Sequence, residues 1–263
     1  MSGPDADVYT FGDSPVAAAR LALLAEVFEG STRDLIARWA PARVDRAVDL
    51  GCGPGHTTGL LHRVSGAETT IGVDRSAEYL ELARRDPVPG VSFVGHDVTV
   101  DPIPVPPADL VLARFLLTHL GDPAGAVRLW ASTLAPGGRL LLQETARLVS
   151  REPALGRYYE LVGELQHQHG QALDVGARLT GLPARSGLTV VHSGLRPLSP
   201  PIASMAALHV LNLRTWRHDP LARGLFDPDE LDGLDDALSE IAAGREGCAP
   251  IEQDLGELVL EAR

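Results

Sequence analysis

From residue 44 onward, short apolar runs alternate with stretches whose apolar positions recur every three or four residues, which predicts strand-helix-strand units around a parallel sheet. The strand-like runs are residues 44–50, 69–73, 91–94, 110–113 and 139–143, and helices are predicted to begin near Gly55, Ser76 and Asp122. The segment DPIPVPPAD at 101–109 fits neither a helix interior nor a central strand, so it is a connection into the fourth strand. Pro136-Gly137-Gly138 is expected to end a helix and turn the chain into the fifth strand. Further on, residues 153–170 place Leu155, Tyr158, Val162, Leu165 and His169 on one helical stripe. Residues 203–218 form a helix apolar almost all round, with His209, Asn212 and Trp216 as a polar-aromatic stripe. The runs GLTVVHSGLRPLSP and DLGELVLEAR alternate apolar and polar residues and predict two more strands.

Between the first strand and the first helix lies AVDLGCGPGHTT, residues 47–58. Three glycines in G-x-G-x-G spacing let backbone approach a ligand at a helix N-terminus with no side chain in the way. The second strand ends in Asp74, whose carboxylate can accept from a pair of ribose hydroxyls. The third is followed by Asp97, placed to accept from an adenine amino group. All these markers fall at the carboxyl ends of successive strands, the edge at which open α/β sheets bind ligands. A dinucleotide site wants G-x-G-x-x-G, whereas here Gly55 comes one position early and His56 takes the sixth place, which argues against a nicotinamide cofactor.

Composition narrows the partners. The chain has 263 residues, 44% hydrophobic, with mean hydropathy near zero, ordinary for a globular protein with a substantial core. The formal charge is −12, all 23 basic side chains are arginine and no arginine-rich run occurs, so nucleic acid is excluded as an expected partner. With no basic-apolar leader and no apolar stretch near the ~20 residues that span a bilayer, a cytoplasmic location without membrane contact is expected. Two cysteines are too few for a disulfide framework, and Cys52 reads as a small residue in a tight turn rather than a nucleophile.

The segments VDLGCGPGHTT, IGVDRS, FVGHDV, ADLVLARFLLTHLGDP and LAPGGRLLLQE, in this order and covering about residues 44–145, resemble the class I S-adenosylmethionine-dependent methyltransferases, in particular bacterial small-molecule members. The resemblance implies a Rossmann-like, doubly wound, seven-stranded sheet, mostly parallel with one antiparallel strand and helices on both faces. It implies an N-terminal helical lid over residues 1–43, a catalytic domain over 44–263, and substrate-side insertions at about 150–186 and 198–250. By the same resemblance Gly51, Cys52, Gly53 and Gly55 wrap the methionine moiety of the cofactor, Asp74 and Arg75 bracket the ribose, and Asp97 and Val98 hold the adenine. Arg114 and Phe115 line the floor beneath the methyl group, and Asp49 orients the loop or meets the cofactor's amino group through water. Tyr9 and Arg20 either reach over its carboxylate end or anchor the N-terminus.

The expected activity is methyl transfer from S-adenosylmethionine, giving S-adenosylhomocysteine, to a small-molecule acceptor such as a bacterial secondary metabolite. The alternative is a cyclase or pericyclase of the same fold that keeps the cofactor unconsumed. No Asn- or Asp-Pro-Pro-aromatic clamp follows the fourth strand, which points away from enzymes that methylate adenine or glutamine nitrogens. His119 is a candidate base, substrate orienter and cofactor neighbour, or else satisfies backbone groups at the next turn. His169 either orients a substrate or packs. Tyr158, His169, His209, Asn212 and Trp216 are the substrate-side candidates. His167 and His169, two positions apart on a helix, point about 200° away from each other, so no metal site is expected. A monomer or homodimer is expected.

Overall fold

A computed structural model describes residues 15–183 and 186–263. Seven strands, β1 (Arg46–Leu50), β2 (Thr69–Asp74), β3 (Val91–Gly95), β4 (Ala108–Arg114), β5 (Leu134–Ser150), β6 (Thr189–Leu198) and β7 (Ile251–Glu261), form one sheet in the order β3-β2-β1-β4-β5-β7-β6. The first five run parallel, and β7 lies antiparallel to both β5 and β6. The strand order reverses direction between β1 and β4, which opens a crevice at their carboxyl ends.

Helix α1 (Pro15–Trp39) precedes the sheet, and α2 (His56–Ser65), α3 (Ala77–Ala83) and α4 (Pro123–Trp130) are the crossovers. Their starts follow from local chemistry. The Ser76 hydroxyl accepts from the Tyr79 amide ahead of α3, and the Asp122 carboxylate accepts from the Gly125 amide ahead of α4, with Pro123 in the first turn. Helix α5 (Pro153–Gln168) follows β5, and α6 (Ile202–Trp216), α7 (Pro220–Leu225) and α8 (Pro228–Ala242) lie between β6 and β7. The acidic run of α8 is a solvated face, since Leu231, Leu234, Leu238 and Ile241 form its buried stripe.

One point differs from the sequence reading. Pro136-Gly137-Gly138 does not end a helix: α4 stops at Trp130, a single 3-10 turn covers Ala131–Thr133, and the Pro-Gly-Gly piece is an irregular start to β5. Hydrogen bonds between Gly137 and Ala262, and between Ala262 and Gly138, each about as short as a ladder bond, hold it against the chain end.

Three apolar clusters build the core. Leu35 and Ile36 of α1 and Leu60 and Leu61 of α2 cover one sheet face. Trp130 and Val127 of α4, with Leu179, cover the other. The third sits beyond the strand ends and joins Phe28 of α1 to Tyr158, Trp216 and Leu238 of α5, α6 and α8.

Candidate functional site

Between the third cluster and the carboxyl ends of β1 to β5 lies a cavity of about 750 Å³. Its first wall is the turn after β1. Gly51 and Cys52 both donate their amides to the Val73 carbonyl, at 2.8 and 3.0 Å, which folds the turn back over β2. Gly51 has φ +68, and a Cβ there would stand 2.8 Å from Leu116 Cδ1, so the position demands glycine. Asp74 closes the turn from below: one carboxylate oxygen accepts from the Gly53 amide at 2.8 Å and the other from the Ser76 amide at 2.9 Å. An ionised carboxylate offers about four lone-pair positions, and with the Arg75 amide also acting on it at least about one remains for a ligand hydroxyl. Burial pushes the Asp74 carboxyl up, opposed by these amides and by Arg75.

Asp97 stands after β3. Thr99 donates both its amide (2.9 Å) and its hydroxyl (2.7 Å) to one oxygen, and the Arg75 guanidinium lies 3.8 Å from the other. Burial pushes this carboxyl up, but the Thr99 bonds and Arg75 outweigh it and the net shift is downward. The adjoining Val98 carbonyl accepts from the Trp130 indole at 2.9 Å, which pins this loop to the core.

The floor is a buried array of charge. Asp49 accepts from the Thr58 hydroxyl at 2.7 Å, and burial pushes its carboxyl up to about 7 against Thr58 and Arg114. Burial brings the Arg114 guanidinium down to about 10, against the attraction of Asp49 and Glu144. Glu144, on β5, accepts the Leu116 and Leu117 amides at 2.8 and 2.7 Å, both on Oε1. Burial pushes it up to about 8, opposed by those amides, by the Thr118 amide and by Arg114. Phe115, in the turn that Glu144 holds, has φ +51, a conformation rare outside glycine that costs on the order of 1 kcal/mol or more.

Helices α1 and α6 supply the remaining walls. Arg20 of α1, 4% exposed, reaches the Asn212 amide oxygen of α6 at 3.4 Å. Leu24 and Phe28 of α1 and Met205, Leu208 and His209 of α6 face the same space.

Of the residues singled out from sequence, Arg20, Asp49, Gly51, Cys52, Gly53, Asp74, Arg75, Asp97, Val98, Arg114, Phe115, His119, His209 and Asn212 line this one cavity. Gly55 does not: with φ +85 it packs toward Phe93, and its place is the entry to α2. Tyr158 and Trp216 lie behind the wall in the third cluster, where Tyr158 stacks on His209 at 4.3 Å between ring centres and Trp216 meets Phe226 edge-on. His169 ends α5 rather than lying within it, and its Nε2 is 3.2 Å from Asp219, away from the cavity. Tyr9 lies outside the described residues. Burial, with Arg20 and Arg75 adding to it and Gln171 opposing, brings His119 down to about 3; burial alone does the same to His209. Both rings are therefore neutral and weakly basic at pH 7. The Cys52 thiol is pushed up by burial and is not a nucleophile at neutral pH.

Glu144, Gln166 and Gln253 also line the cavity and were not picked out from sequence. Glu144 carried a readable signal, an acid closing the apolar run LLLQE at the ligand edge, the same signal that marked Asp74. Gln166 and Gln253 carried none, because polar residues flanking helical and strand apolar positions are commonplace. Among the described residues no group of three or more His, Cys, Asp or Glu side chains is arranged to hold a metal ion, and no helix is long and apolar enough to cross a membrane.

The sequence profile of a family described as "Methyltransferase domain" matches residues 24–193. A trans-aconitate 2-methyltransferase from Methylobacterium nodulans is 40% identical over 131 residues, covering 50% of this chain and 49% of that protein. The chain spans about half the length of the curated relatives it matches. Among solved structures, the YcgJ protein from Bacillus subtilis shares the fold at TM-score 0.57 and 20% identity, over 89% of this chain and 99% of that one. Phosphoethanolamine N-methyltransferase 2 from Haemonchus contortus, in complex with S-adenosyl-L-methionine, gives TM-score 0.59 at 15% identity, over 99% of this chain and 61% of that one.

Proposed function

The chain belongs to the class I S-adenosylmethionine-dependent methyltransferases, and we propose that it methylates a small-molecule acceptor held in the apolar part of the cavity. The observation that carries this is the division of one cavity into two kinds of wall. On the sheet side stand the glycine turn, Asp74 and Asp97; opposite stand the apolar faces of α1 and α6.

In this reading Asp74 accepts from the ribose hydroxyls, Asp97 and the Val98 amide meet the adenine edge, and the Gly51–Gly53 backbone receives the amino-acid end, with Arg20 near its carboxylate. Bound there, the cofactor supplies an electrophilic methyl group on a sulfonium. The chain's own part is positioning. Holding two reactants in attack geometry is worth ~7–11 kcal/mol of barrier, more than the ~10²–10⁴-fold that a general base contributes. Helix α1, within the 1–43 segment, serves as a cover, and α6, within the 198–250 insertion, shapes the acceptor.

Charge bears on what the acceptor is. Among the described residues, three arginines and five acids line the cavity. A tricarboxylate such as trans-aconitate, named for the curated relatives, would meet a wall with no surplus of positive charge.

Calorimetry is the first test: S-adenosylhomocysteine is expected to bind at one site per chain and NAD not at all. Mass spectrometry with a methyl-labelled donor then reads transfer across neutral and polycarboxylate acceptors. Binding of NAD in place of S-adenosylhomocysteine, or product formation that leaves the donor unconsumed, would overturn the proposal.

A further inference from the structure

Native proteins leave few buried polar atoms without a hydrogen-bond partner, and clusters of them mark places where something else supplies the partner. Glu144 Oε2, Gln166 Oε1, Gln253 Oε1 and His209 Nδ1 are four such atoms, and all four residues line the one cavity. Around them the wall is apolar, with Leu24, Phe28, Leu148, Met205 and Leu208. Glu144 stands out because its two oxygens are treated differently. Oε1 is fixed by the Leu116 and Leu117 amides, which sets the carboxyl in place, and Oε2 is left over.

The other carboxyls of the cavity floor and sheet edge are engaged: Asp49 by Thr58, Asp74 by two amides, Asp97 by Thr99 and Arg75. Of the cavity's histidines among the described residues, burial brings His119 and His209 down to about 3 and lowers His56, and the Nε2 of His96 is engaged with the Val100 carbonyl at 2.8 Å. We propose that the acceptor is an uncharged, mainly apolar molecule carrying a hydroxyl group, and that Glu144 is the catalytic residue that takes the hydroxyl proton.

This rests on the methyltransferase reading above and deepens it. In the step Glu144 acts in its ionised form, the minority near neutral pH and the majority above its value of about 8: a lone pair of the hydroxyl oxygen forms the new O–CH₃ bond, the S–CH₃ bond breaks with its electron pair returning to sulfur, and the O–H proton passes to Glu144 Oε2. Proton count and charge balance: a carboxylate and a sulfonium become a carboxylic acid and a thioether. Glu144 lines the cavity but Oε2 is buried, so the proposal requires lining side chains to turn to another rotamer as the ligand binds, a common change. The charged group acting on Glu144 is Arg114 of β4, which Asp49 of β1 partly balances; the turn after β4 contributes only amides.

The test uses the full chain saturated with S-adenosylhomocysteine, whose binding is measured first. Failure at that stage would count against the methyltransferase reading itself. Calorimetry at about pH 8.5, where Glu144 is mostly ionised and a phenol-type hydroxyl still mostly keeps its proton, then compares 2-naphthol with its methyl ether, 2-methoxynaphthalene, which has the same body and no donor. Wild type is expected to favour the naphthol by about tenfold or more, and Glu144→Gln, which keeps an oxygen for the two amides, to abolish that preference with S-adenosylhomocysteine affinity unchanged. Absence of naphthol binding, an equally bound ether, or a preference that survives in the variant would each overturn the proposal. A role for Glu144 confined to holding the Leu116–Leu117 turn would not move the naphthol-to-ether ratio.

Discussion

At the scale of single residues, the site is a set of carboxyls whose environments differ more than their sequence contexts. Asp74 is held by two backbone amides, so removing its side chain would strip those amides as well as any ligand contact. Asp74→Asn is therefore the cleaner variant: it keeps one acceptor oxygen and the fold, and is expected to weaken S-adenosylhomocysteine by about tenfold or more in calorimetry, since charge-assisted bonds are worth ~1.5–3 kcal/mol. Wild-type affinity would refute the ribose assignment. Glu144 and Asp49 make a different prediction, about pH. Burial raises their carboxyls to about 8 and about 7, from ordinary values of 4.5 and 3.8. Between those limits the folded chain holds protons that the unfolded chain has released, so the stability they allow is present at low pH and lost as pH rises through the folded values. The melting temperature of the ligand-free protein is expected to be lower near about pH 8 than near about pH 5, and Glu144→Gln to flatten part of that slope. A slope equal to that of wild type would show that Glu144 does not titrate in this range. The sequence made Asp74 and Asp97 legible because each ends an apolar run at a strand's carboxyl end. Glu144 ends an apolar run in the same way and was equally legible as an acid at that edge; what no local pattern shows is that one of its oxygens is fixed by the amides of a turn 27 residues away.

At the scale of elements, the alternation of runs located β1 to β4 and the starts of α2, α3 and α4 to within about two residues, because periodicity, caps and turn residues are local properties. Pro136-Gly137-Gly138 was misread because its partner, Ala262, is the chain's far end; no local signal announces a strand edge stitched from there. The placing of Tyr158 and Trp216 behind the wall was also out of reach, since a helical stripe shows which residues share a face and not how deep that face is sunk. What fastens α1 to the sheet is likewise non-local. The Thr32 hydroxyl donates to Gln143 Oε1 at 2.8 Å, Arg114 donates to Thr32 Oγ1 at 3.1 Å, and Gln143 Nε2 donates to Glu257 at 3.0 Å. Arg196 of β6, itself partly exposed, completes the chain at 3.2 Å from Glu257, so a polar line buried as far as Glu257 crosses from α1 and β4 to β6. Gln143→Leu would leave the Thr32 hydroxyl and Glu257 without this partner in a dry setting. A loss of about 2–4 kcal/mol is expected in denaturant unfolding, well above the ordinary cost of a surface change. A loss under about 0.5 kcal/mol would mean that water replaces the line.

At the scale of the whole molecule, the cavity is the seam between two bodies of core: the clusters on the two sheet faces, and the helical cluster of α1, α5, α6 and α8 beyond the strand ends. A ligand that touches both sides of a seam stabilises their association, and the gain follows mass action, about 2.7 kcal/mol when the free ligand exceeds its dissociation constant a hundredfold. Where that gain appears depends on which walls the ligand meets. If S-adenosylhomocysteine lies between the glycine turn and Arg20, hydrogen exchange should slow in the turn after β1, in the turn after β4, and also in the first half of α1, whose Leu21 approaches Gly53 and whose Arg20 and Leu24 line the cavity. β6, at the sheet's far edge, should be unchanged and serves as the internal reference. Protection confined to the turns after β1, β2 and β3 would mean that the cofactor sits on the sheet alone and that α1 is scaffold rather than cover. Protection spreading into α6 as well would follow from the Arg20–Asn212 bond, which makes the two helices one wall, so that a ligand ordering either orders both.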